Sequence, residues 1–306
     1  MVGSAKDPQK RFATLHFTFR VVGANEIEPL IIFANGNPNK EDPWEMPKGL
    51  QSKKHESNGK KGTEKELYHP KAKVVFQENA WLDEDISKHY FDWVCLILED
   101  YRDKWDEDHP DFPFEPKVLI QQDNLRGQNT FPIKLTAMAN DVFIWNTLEN
   151  CTDAVAWLDQ WVLWDLKCGV DRLFWADFES SAEKTAYYSN PVSHGGITLA
   201  QWRISITHWV MQVLEQTRKK SVQLLKTARK VGLANCRCGC ENHYISVGKI
   251  STYTVGKQND PLMNPLSEED AQNLVAAEKA ERARVRRARR SKISAGQKLA
   301  KRMKKN

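Results

Sequence analysis

Asp123 is the first residue whose position in the sequence suggests chemistry. It directly follows the apolar stretch 117–122, which is typical of a short strand. Ligands of open α/β sheets bind outside the carboxyl ends of the strands, so a carboxylate at this point is placed to contact one. Beside Asn124, the same carboxylate could instead cap the turn that follows. Both interpretations remain open from this feature alone.

Asp159 is the second candidate, because its neighbours are apolar. The pattern from Asp153 to about Phe178 predicts a helix, and a helical wheel surrounds Asp159 with apolar side chains: Val155, Val162, Leu163 and Leu166 on one face and Trp157, Trp161 and Trp164 on the other. An ionised carboxylate in such surroundings costs several kcal/mol unless a cation or donors compensate it. The cation could be Lys167 or Arg172, or it could be a metal ion shared with Asp123.

Two carboxylates at such positions are the minimum for a hard cation. Mg²⁺ prefers oxygen ligands and keeps several of its waters. With a third acid, the pair could hold two metal ions, one activating a water and the other stabilising the leaving oxygen during phosphodiester cleavage.

The chain has a second group of potential metal ligands in the C-x-C-x-C-x-x-H segment of Cys236, Cys238, Cys240 and His243. Structural zinc sites usually space two cysteines by two to four residues, and alternate side chains of an extended segment do not form a tetrahedron easily. We therefore expect reduced thiols rather than zinc here. The common nucleotide, protease and hydrolase motifs GxxxxGK[ST], GxGxxG, HExxH and GxSxG do not occur.

Positive charge is concentrated at the end of the chain. Residues 279–306 contain 13 Lys and Arg and one acid, whereas residues 1–278 have 32 basic and 39 acidic residues. This pattern indicates a polyanion partner, most simply DNA, and a nuclear location. The candidate contacts to the phosphate backbone are Arg282, Arg284, Arg286, Arg287, Arg289, Arg290 and Lys292. A solvated tail without a partner is the alternative.

The elements that must position the two aspartates alternate between strand and helix. We predict strands at 12–22, 30–33, 74–76, 117–123 and 141–145, and helices at 83–98, 130–139, 153–178 and 198–232. Such alternation indicates an α/β sheet domain followed by an α-rich section. Residues 35–69 show no periodicity and predict a mobile surface insertion, and 103–116 predict a polar connector.

Composition excludes several classes of protein. The mean hydropathy is −0.62 and the longest apolar run is far shorter than the ~20 residues of a membrane-spanning helix, so we expect no membrane span. The first residues lack the apolar segment of a secretory signal. Six cysteines in 306 residues are too few for a disulfide scaffold, which favours a reducing compartment. We expect no small-molecule cofactor.

The order of several segments resembles the DDE-superfamily endonuclease domain of pogo/Tigger-type transposases over roughly residues 10–255. The segments that carry the resemblance are Lys10–Leu15, Glu28–Phe33, Phe76–Asp85, Gln122–Leu125 with Gln128, Asn150–Asp153 with Leu158–Asp159, and Arg203–Trp209. Each segment is modestly specific, and the combination is more so.

The resemblance implies an α/β fold with a ribonuclease H-like mixed sheet, in which three acids bind two Mg²⁺ or Mn²⁺ ions for DNA strand cleavage and transfer. By resemblance Asp123 is the second acid and Asp159 the third. The first acid belongs on a central strand before 12–22, and the chain is expected to lack that strand. The implied organisation is a truncated domain over 1–178, a helical continuation over 179–255, and a linker with a basic, helical or disordered tail over 256–306.

Two functions follow as expectations. The first is a transposase-derived, metal-dependent endonuclease that is impaired because one acid is missing. The alternative is a non-catalytic nuclear DNA-binding protein that acts through its basic tail.

Overall fold

A computed structural model describes most of the chain. The described residues are 12–20, 27–34, 44–47, 50–51, 53–57, 59–111, 118–123, 127–147, 156–235 and 244–246, with the single positions 273, 276, 280 and 284. The chain divides into two compact units. One comprises Met1–Val94 and Leu119–Val255, and the other comprises Cys95–Val118 and Gly256–Asn306.

The strands of the first unit form three small sheets. They are β1 Ala13–His16, β2 Leu30–Phe33, β3 Lys54–Ser57, β4 Lys60–Thr63, β5 Lys73–Phe76, β6 Val118–Gln122 and β7 Val142–Asn146. The first residue of β6, Val118, is assigned to the second unit. The order β1-β2-β5 defines a mixed sheet, because β1 runs antiparallel to β2 and β5 runs parallel to it. β3 pairs with β4, and β6 pairs with β7. The expected mixed α/β architecture is confirmed.

β2 is the centre of the mixed sheet. Its four residues are wholly buried, which a continuous apolar run predicts for a strand that is covered on both faces. The predicted strand at 30–33 is confirmed, and its antiparallel neighbour β1 is confirmed but shorter than the predicted 12–22. After His16 the chain leaves the strand, and Phe17 and Phe19 pack against a helical core instead.

The helices are α1 Glu64–Leu67, α2 Glu84–Asp108, α3 Phe131–Ala139, α4 Leu163–Phe178, α5 Ala182–Ser189, α6 Leu199–Lys219 and α7 Ser221–Lys230, and a π-helical turn, Leu158–Val162, precedes α4. The predicted starts of α2, α3 and α6 are confirmed. Asp83 accepts the Ile86 N–H at 2.9 Å, and Thr198 forms a capping box with Gln201, so both helices begin at side chains that satisfy unpaired amides. The predicted helix over 198–232 is confirmed with one break at Lys220.

Two apolar clusters hold these elements together. One lies between the mixed sheet and α6 and includes Ile31, Phe33, Phe76 and Ile204. The other joins the π-helical turn to α4, α6 and α7 and includes Trp157, Val162, Leu166, Met211, Leu214 and Leu224. Gly169 allows α4 to lie close against α6, because a Cβ there would come within 2.4 Å of a Val213 methyl.

The segment 35–69, predicted to be a mobile insertion, contains β3, β4 and α1 among its described residues. That part of the prediction was wrong. The buried Glu64 accepts two hydrogen bonds from the guanidinium of Arg203, at 2.5 and 2.9 Å, which ties α1 to α6. The partners are 139 residues apart in sequence, so no local periodicity could indicate this contact.

The described part of the second unit is mainly the second half of α2, from Cys95 to Asp108. The predicted connector at 103–116 is wrong for its first residues, because α2 continues to Asp108. Arg102 and Asp106, one helical turn apart, are almost completely buried, and the Trp105 ring stacks on His109 at 3.9 Å. No helix within the described ranges is long and apolar enough to cross a membrane.

Candidate functional site

Asp123 lies at the carboxyl end of β6, where the sequence predicted it. Its side chain is half-buried and accepts a hydrogen bond from the Thr147 hydroxyl at 3.4 Å. The Thr147 N–H donates to the carbonyl of Gln122 at 3.0 Å. The last residues of β6 and β7 therefore lie side by side, and Asp123 is placed at their common edge.

Polar side chains surround this edge. We call the strand-end cluster the set His16, Gln122, Asp123, Gln128, Asn146 and Thr147. The Gln122 side-chain amide donates to the Asn146 side chain at 2.9 Å and to the Gln128 carbonyl at 3.2 Å. The Gln128 side-chain amide lies 3.2 Å from Nδ1 of His16 at the end of β1. The cluster thus joins the ends of three strands.

Burial lowers the pKa of His16 to about 4, so the imidazole is neutral at pH 7. A neutral ring leaves Nδ1 available to accept the Gln128 N–H. The edge of the ring meets Tyr90, with a centroid distance of 4.9 Å. His16 therefore orients Gln128 rather than carrying charge.

The strand-end cluster is not fully satisfied internally. Gln128 is 8% exposed, yet its Oε1 atom has no hydrogen-bond partner among the described residues. The Thr130 hydroxyl, two residues further along, is also buried and has no hydrogen-bond partner within the described part of the chain. Buried polar atoms without partners are uncommon in native proteins, and a bound water is a common way of satisfying them.

Asp159 lies in a different environment from the one that the helical wheel predicted. It is exposed and belongs to the first turn of the π-helical segment, where its N–H donates to the Ala156 carbonyl at 3.1 Å. A π-helical turn contains more residues than an α-helical turn, so a wheel drawn at 3.6 residues per turn assigns its side chains to the wrong faces. The expectation of an enclosed, costly carboxylate was wrong, because the Asp159 side chain is exposed to water.

Trp157 joins the elements that carry the two aspartates. Its backbone N–H donates to the side-chain oxygen of Gln121 at 3.0 Å, and its buried indole N–H donates to Thr227 of α7 at 3.0 Å. Gln121 is two residues before Asp123, and Trp157 is two residues before Asp159. Trp157 thereby holds the end of β6, the start of the π-helical turn and the middle of α7 together.

The arrangement supplies two carboxylates on adjacent elements. Among the described residues, no group of three or more His, Cys, Asp and Glu side chains is arranged to hold a metal ion. Asp123 and Asp159 are oxygen ligands of the type that Mg²⁺ or Mn²⁺ would take.

The remaining candidates fall mostly outside the described residues. Of the basic tail, Arg284 is described, and it is helical and exposed. Arg282, Arg286, Arg287, Arg289, Arg290 and Lys292 lie outside the described residues, and so do Cys236, Cys238, Cys240 and His243.

The sequence analysis missed most of the strand-end cluster. A signal was present, because β6 ends in Gln121 and Gln122, and Asn146 at the end of β7 is followed by Thr147, each pair after apolar residues. Polar side chains at the ends of two successive apolar strands are a pattern that could have indicated a shared edge. No sequence pattern placed His16 there, since it depends on the position of β1.

Comparison with known proteins gives no independent assignment. No protein-family model matches the chain, and no curated protein or solved structure is significantly similar to it. The described residues define a mixed α/β protein with a polar cluster at the ends of its strands.

Proposed function

We propose that the chain is a transposase-derived DDE endonuclease domain with a ribonuclease H-like arrangement of its sheet. Its ancestral reaction is metal-dependent hydrolysis and transfer of DNA strands. In this proposal Asp123 and Asp159 would hold Mg²⁺ or Mn²⁺, which would supply Lewis-acid polarisation of the phosphodiester and a more acidic bound water.

The Gln121–Trp157 hydrogen bond is the observation that carries this proposal. It joins two elements that are 36 residues apart in the chain, at points two residues before each aspartate. The half-buried Asp123 and the exposed Asp159 are both at positions that a solvated ion can reach. The unpartnered Gln128 Oε1 gives further support, since it could accept a hydrogen bond from a water of the hydrated ion.

The two carboxylates bring less negative charge than three would. With two acids as ligands, a divalent ion would keep more of its water and would be bound more weakly. We therefore expect slow cleavage that requires millimolar metal. Mn²⁺ accepts a wider range of ligands than Mg²⁺, so we expect it to support the faster reaction.

A plasmid-nicking assay tests this proposal. The purified full chain is incubated with supercoiled plasmid and Mg²⁺ or Mn²⁺, alongside the variants Asp123→Asn and Asp159→Asn. Each variant keeps the size of the side chain and removes its charge. Cleavage by the native chain should fall to background in both variants. Asp171→Asn is the matched control, because Asp171 is exposed on α4 and has no part in the proposed site.

Two results contradict the proposal. One is a folded native chain that does not nick DNA with either metal. The other is nicking that is equally reduced, or equally unaffected, in Asp123→Asn, Asp159→Asn and the Asp171→Asn control.

A second candidate is a non-catalytic nuclear DNA-binding protein that acts through its basic tail. The observation in its favour is the charge of residues 279–306, together with the exposed, helical Arg284. Replacing Arg282, Arg284, Arg286, Arg287, Arg289 and Arg290 by Gln should remove most of the DNA affinity and its steep dependence on salt. Unchanged affinity would reject this candidate, and loss of nuclear accumulation of a fluorescent fusion would support the location.

A further inference from the structure

A second basic surface lies in the first unit, where α6 meets α7. Residues 216–235 contain six Lys and Arg and no acid, although residues 1–278 as a whole carry more acids than bases. The six are Arg218, Lys219, Lys220, Lys226, Arg229 and Lys230. This concentration of one sign of charge is the exception within the acidic body of the chain.

Three of these side chains are accounted for by the fold. The half-buried guanidinium of Arg218 donates to the Ile27 carbonyl. Lys220 forms an ion pair with Asp165 at 2.7 Å and lies over the Trp161 ring. The half-buried Arg229 lies over the Tyr244 ring at 5.2 Å.

The other three are Lys219, Lys226 and Lys230. All are exposed, and none has an ion-pair partner among the described residues. We call them the α6–α7 lysines. Lys226 and Lys230 are four residues apart on α7, a spacing at which like charges repel each other and weaken the helix. Of the acids nearby, Asp165 pairs with Lys220 and accepts a hydrogen bond from the Thr217 hydroxyl, and Glu215, four residues before Lys219, lies 3.8 Å from Lys71.

This surface lies next to the candidate site. Thr227, the residue after Lys226, accepts the indole hydrogen bond of Trp157, and Trp157 starts the turn that carries Asp159. A polyanion that lies along α7 would therefore pass the exposed carboxylate of Asp159. An acidic peptide would match the positive charge of this surface but would not be a substrate of the proposed metal site. A phosphodiester backbone matches the charge and is also the substrate of the proposed reaction.

We propose that the α6–α7 lysines form a DNA-binding surface, distinct in sequence from the basic tail, that contacts the phosphate backbone beside Asp159. Only the choice of DNA as the polyanion, and the role of the surface in presenting a bond for cleavage, rest on the proposed endonuclease. Its binding of a polyanion rests on the charges and contacts above. Because phosphate contacts carry no sequence information, the surface binds DNA of any sequence.

Charge reversal tests the surface directly. The full chain and the variant Lys219→Glu/Lys226→Glu/Lys230→Glu are titrated into a fluorescent 30-base-pair duplex without divalent metal, over a range of salt concentrations. Loss of three phosphate contacts should lower the slope of log affinity against log salt by about 2 to 3, and should weaken binding roughly 100-fold at 150 mM salt.

The matched control is Lys60→Glu/Lys65→Glu/Lys134→Glu. These lysines are also exposed and lie in the first unit, and the variant changes the net charge equally. The control variant should keep the native salt slope, because it lowers the net charge of the chain without removing any of the proposed phosphate contacts. The milder triple variant with Gln at 219, 226 and 230 serves if the Glu variant does not fold, and it should lower the slope by the same amount.

A second measurement locates the contact. DNA should protect Lys219, Lys226 and Lys230, but not Lys60, Lys65 or Lys134, from acetylation as followed by mass spectrometry. Equal effects of the two Glu variants, an unchanged slope in the α6–α7 variant, or equal binding of the native chain to polyglutamate and to DNA would each overturn the proposal.

The outcome is independent of cleavage. Asp171→Asn, at an exposed position outside both sites, should bind the duplex as the native chain does in the absence of metal. Weak binding by the α6–α7 variant in a chain that never nicks DNA would support the surface and reject the endonuclease. If the α6–α7 variant nicks DNA and binds it as the native chain does, the endonuclease would be supported and the surface rejected.

Discussion

Two polar regions of the first unit differ in how completely their hydrogen-bonding groups are satisfied. The first is the buried triad of Glu64, Tyr68 and Arg203, which joins α1 to α6. The second is the strand-end cluster at the ends of β1, β6 and β7. Both contain polar side chains that approach apolar cores, but their hydrogen bonds are distributed differently.

In the buried triad the carboxylate is fully occupied. Glu64 and Arg203 are 1% and 4% exposed, and both carboxylate oxygens of Glu64 accept from the guanidinium. The Tyr68 hydroxyl donates to the same carboxylate at 2.5 Å. Burial and then the Glu64 charge raise the pKa of Tyr68 well above its ordinary value, so the hydroxyl keeps its proton. No room is left for a ligand.

In the strand-end cluster one buried polar atom is unsatisfied. Asp123 is half-exposed and accepts a hydrogen bond of 3.4 Å from Thr147, and Gln128 Oε1 has no hydrogen-bond partner among the described residues. A complete network stabilises a fold, whereas an incomplete one is available for a ligand. The triad is therefore structural, and the cluster is where the proposed function places binding or catalysis.

The largest expected effect comes from breaking the triad on one side. Arg203→Met leaves the Glu64 carboxylate buried without its cation, and we expect the free energy of unfolding to fall by about 3–5 kcal/mol. Urea unfolding followed by tryptophan fluorescence measures this loss. The double variant Glu64→Leu/Arg203→Met removes both charges and should recover most of the loss.

The Lys73–Glu28 pair is the control for this prediction. Its atoms are 3.4 Å apart and its side chains are 35% and 28% exposed. Lys73→Met should cost about 1 kcal/mol or less, because partly exposed pairs contribute little. If Arg203→Met were as mild as Lys73→Met, the structural interpretation of the triad would be wrong.

The same comparison explains what the sequence could predict. β2 and α3 were predicted because their signals are local: an apolar run, or an apolar helical pattern that begins after Thr130. The triad was missed, and 35–69 was interpreted as an insertion, because Glu64 finds its partner 139 residues away. A carboxylate in a Lys-rich segment gives no indication of burial.

The candidate site was predicted in part for the same reason. Asp123 could be placed at a strand end, because the strand and the acid are adjacent in sequence. The environment of Asp159 could not be predicted, because it depends on a π-helical turn that interrupts the regular spacing. The link through Gln121 and Trp157 depends on tertiary packing between two elements that are far apart in the chain.

The next largest effect is a pH dependence that comes from the strand-end cluster. Burial lowers the pKa of His16 from 6.5 to about 4, so the unfolded chain binds a proton at His16 before the folded chain does. The contribution is favourable above pH 6.5 and is lost as the pH falls from 6.5 towards 4. By pH 4.5 we expect a loss of about 2 kcal/mol relative to pH 7.

His16→Gln provides the comparison, because glutamine can accept a hydrogen bond from Gln128 and does not titrate. The free energy of unfolding of both proteins is measured by urea at pH 7.0, 5.5 and 4.5. The carboxylates shared by the two proteins cancel in the difference, so a difference that does not change with pH would show that His16 is not held neutral by the fold.

The smallest expected effect on stability concerns the link between the two aspartates. Gln121→Leu removes the acceptor of the Trp157 N–H, and we expect a cost of about 1 kcal/mol in urea unfolding. Gln216→Leu, at an exposed position on α6, is the matched control and should change stability by less than about 0.5 kcal/mol.

Although Gln121→Leu has a small effect on the free energy of unfolding, it should reduce metal-dependent nicking more than Arg203→Met does at temperatures where both variants remain folded. Gln121 holds the start of the turn that carries Asp159, whereas Arg203 acts on the fold alone. Equal losses of nicking in the two variants would mean that the position of Trp157 against β6 has no special bearing on the site.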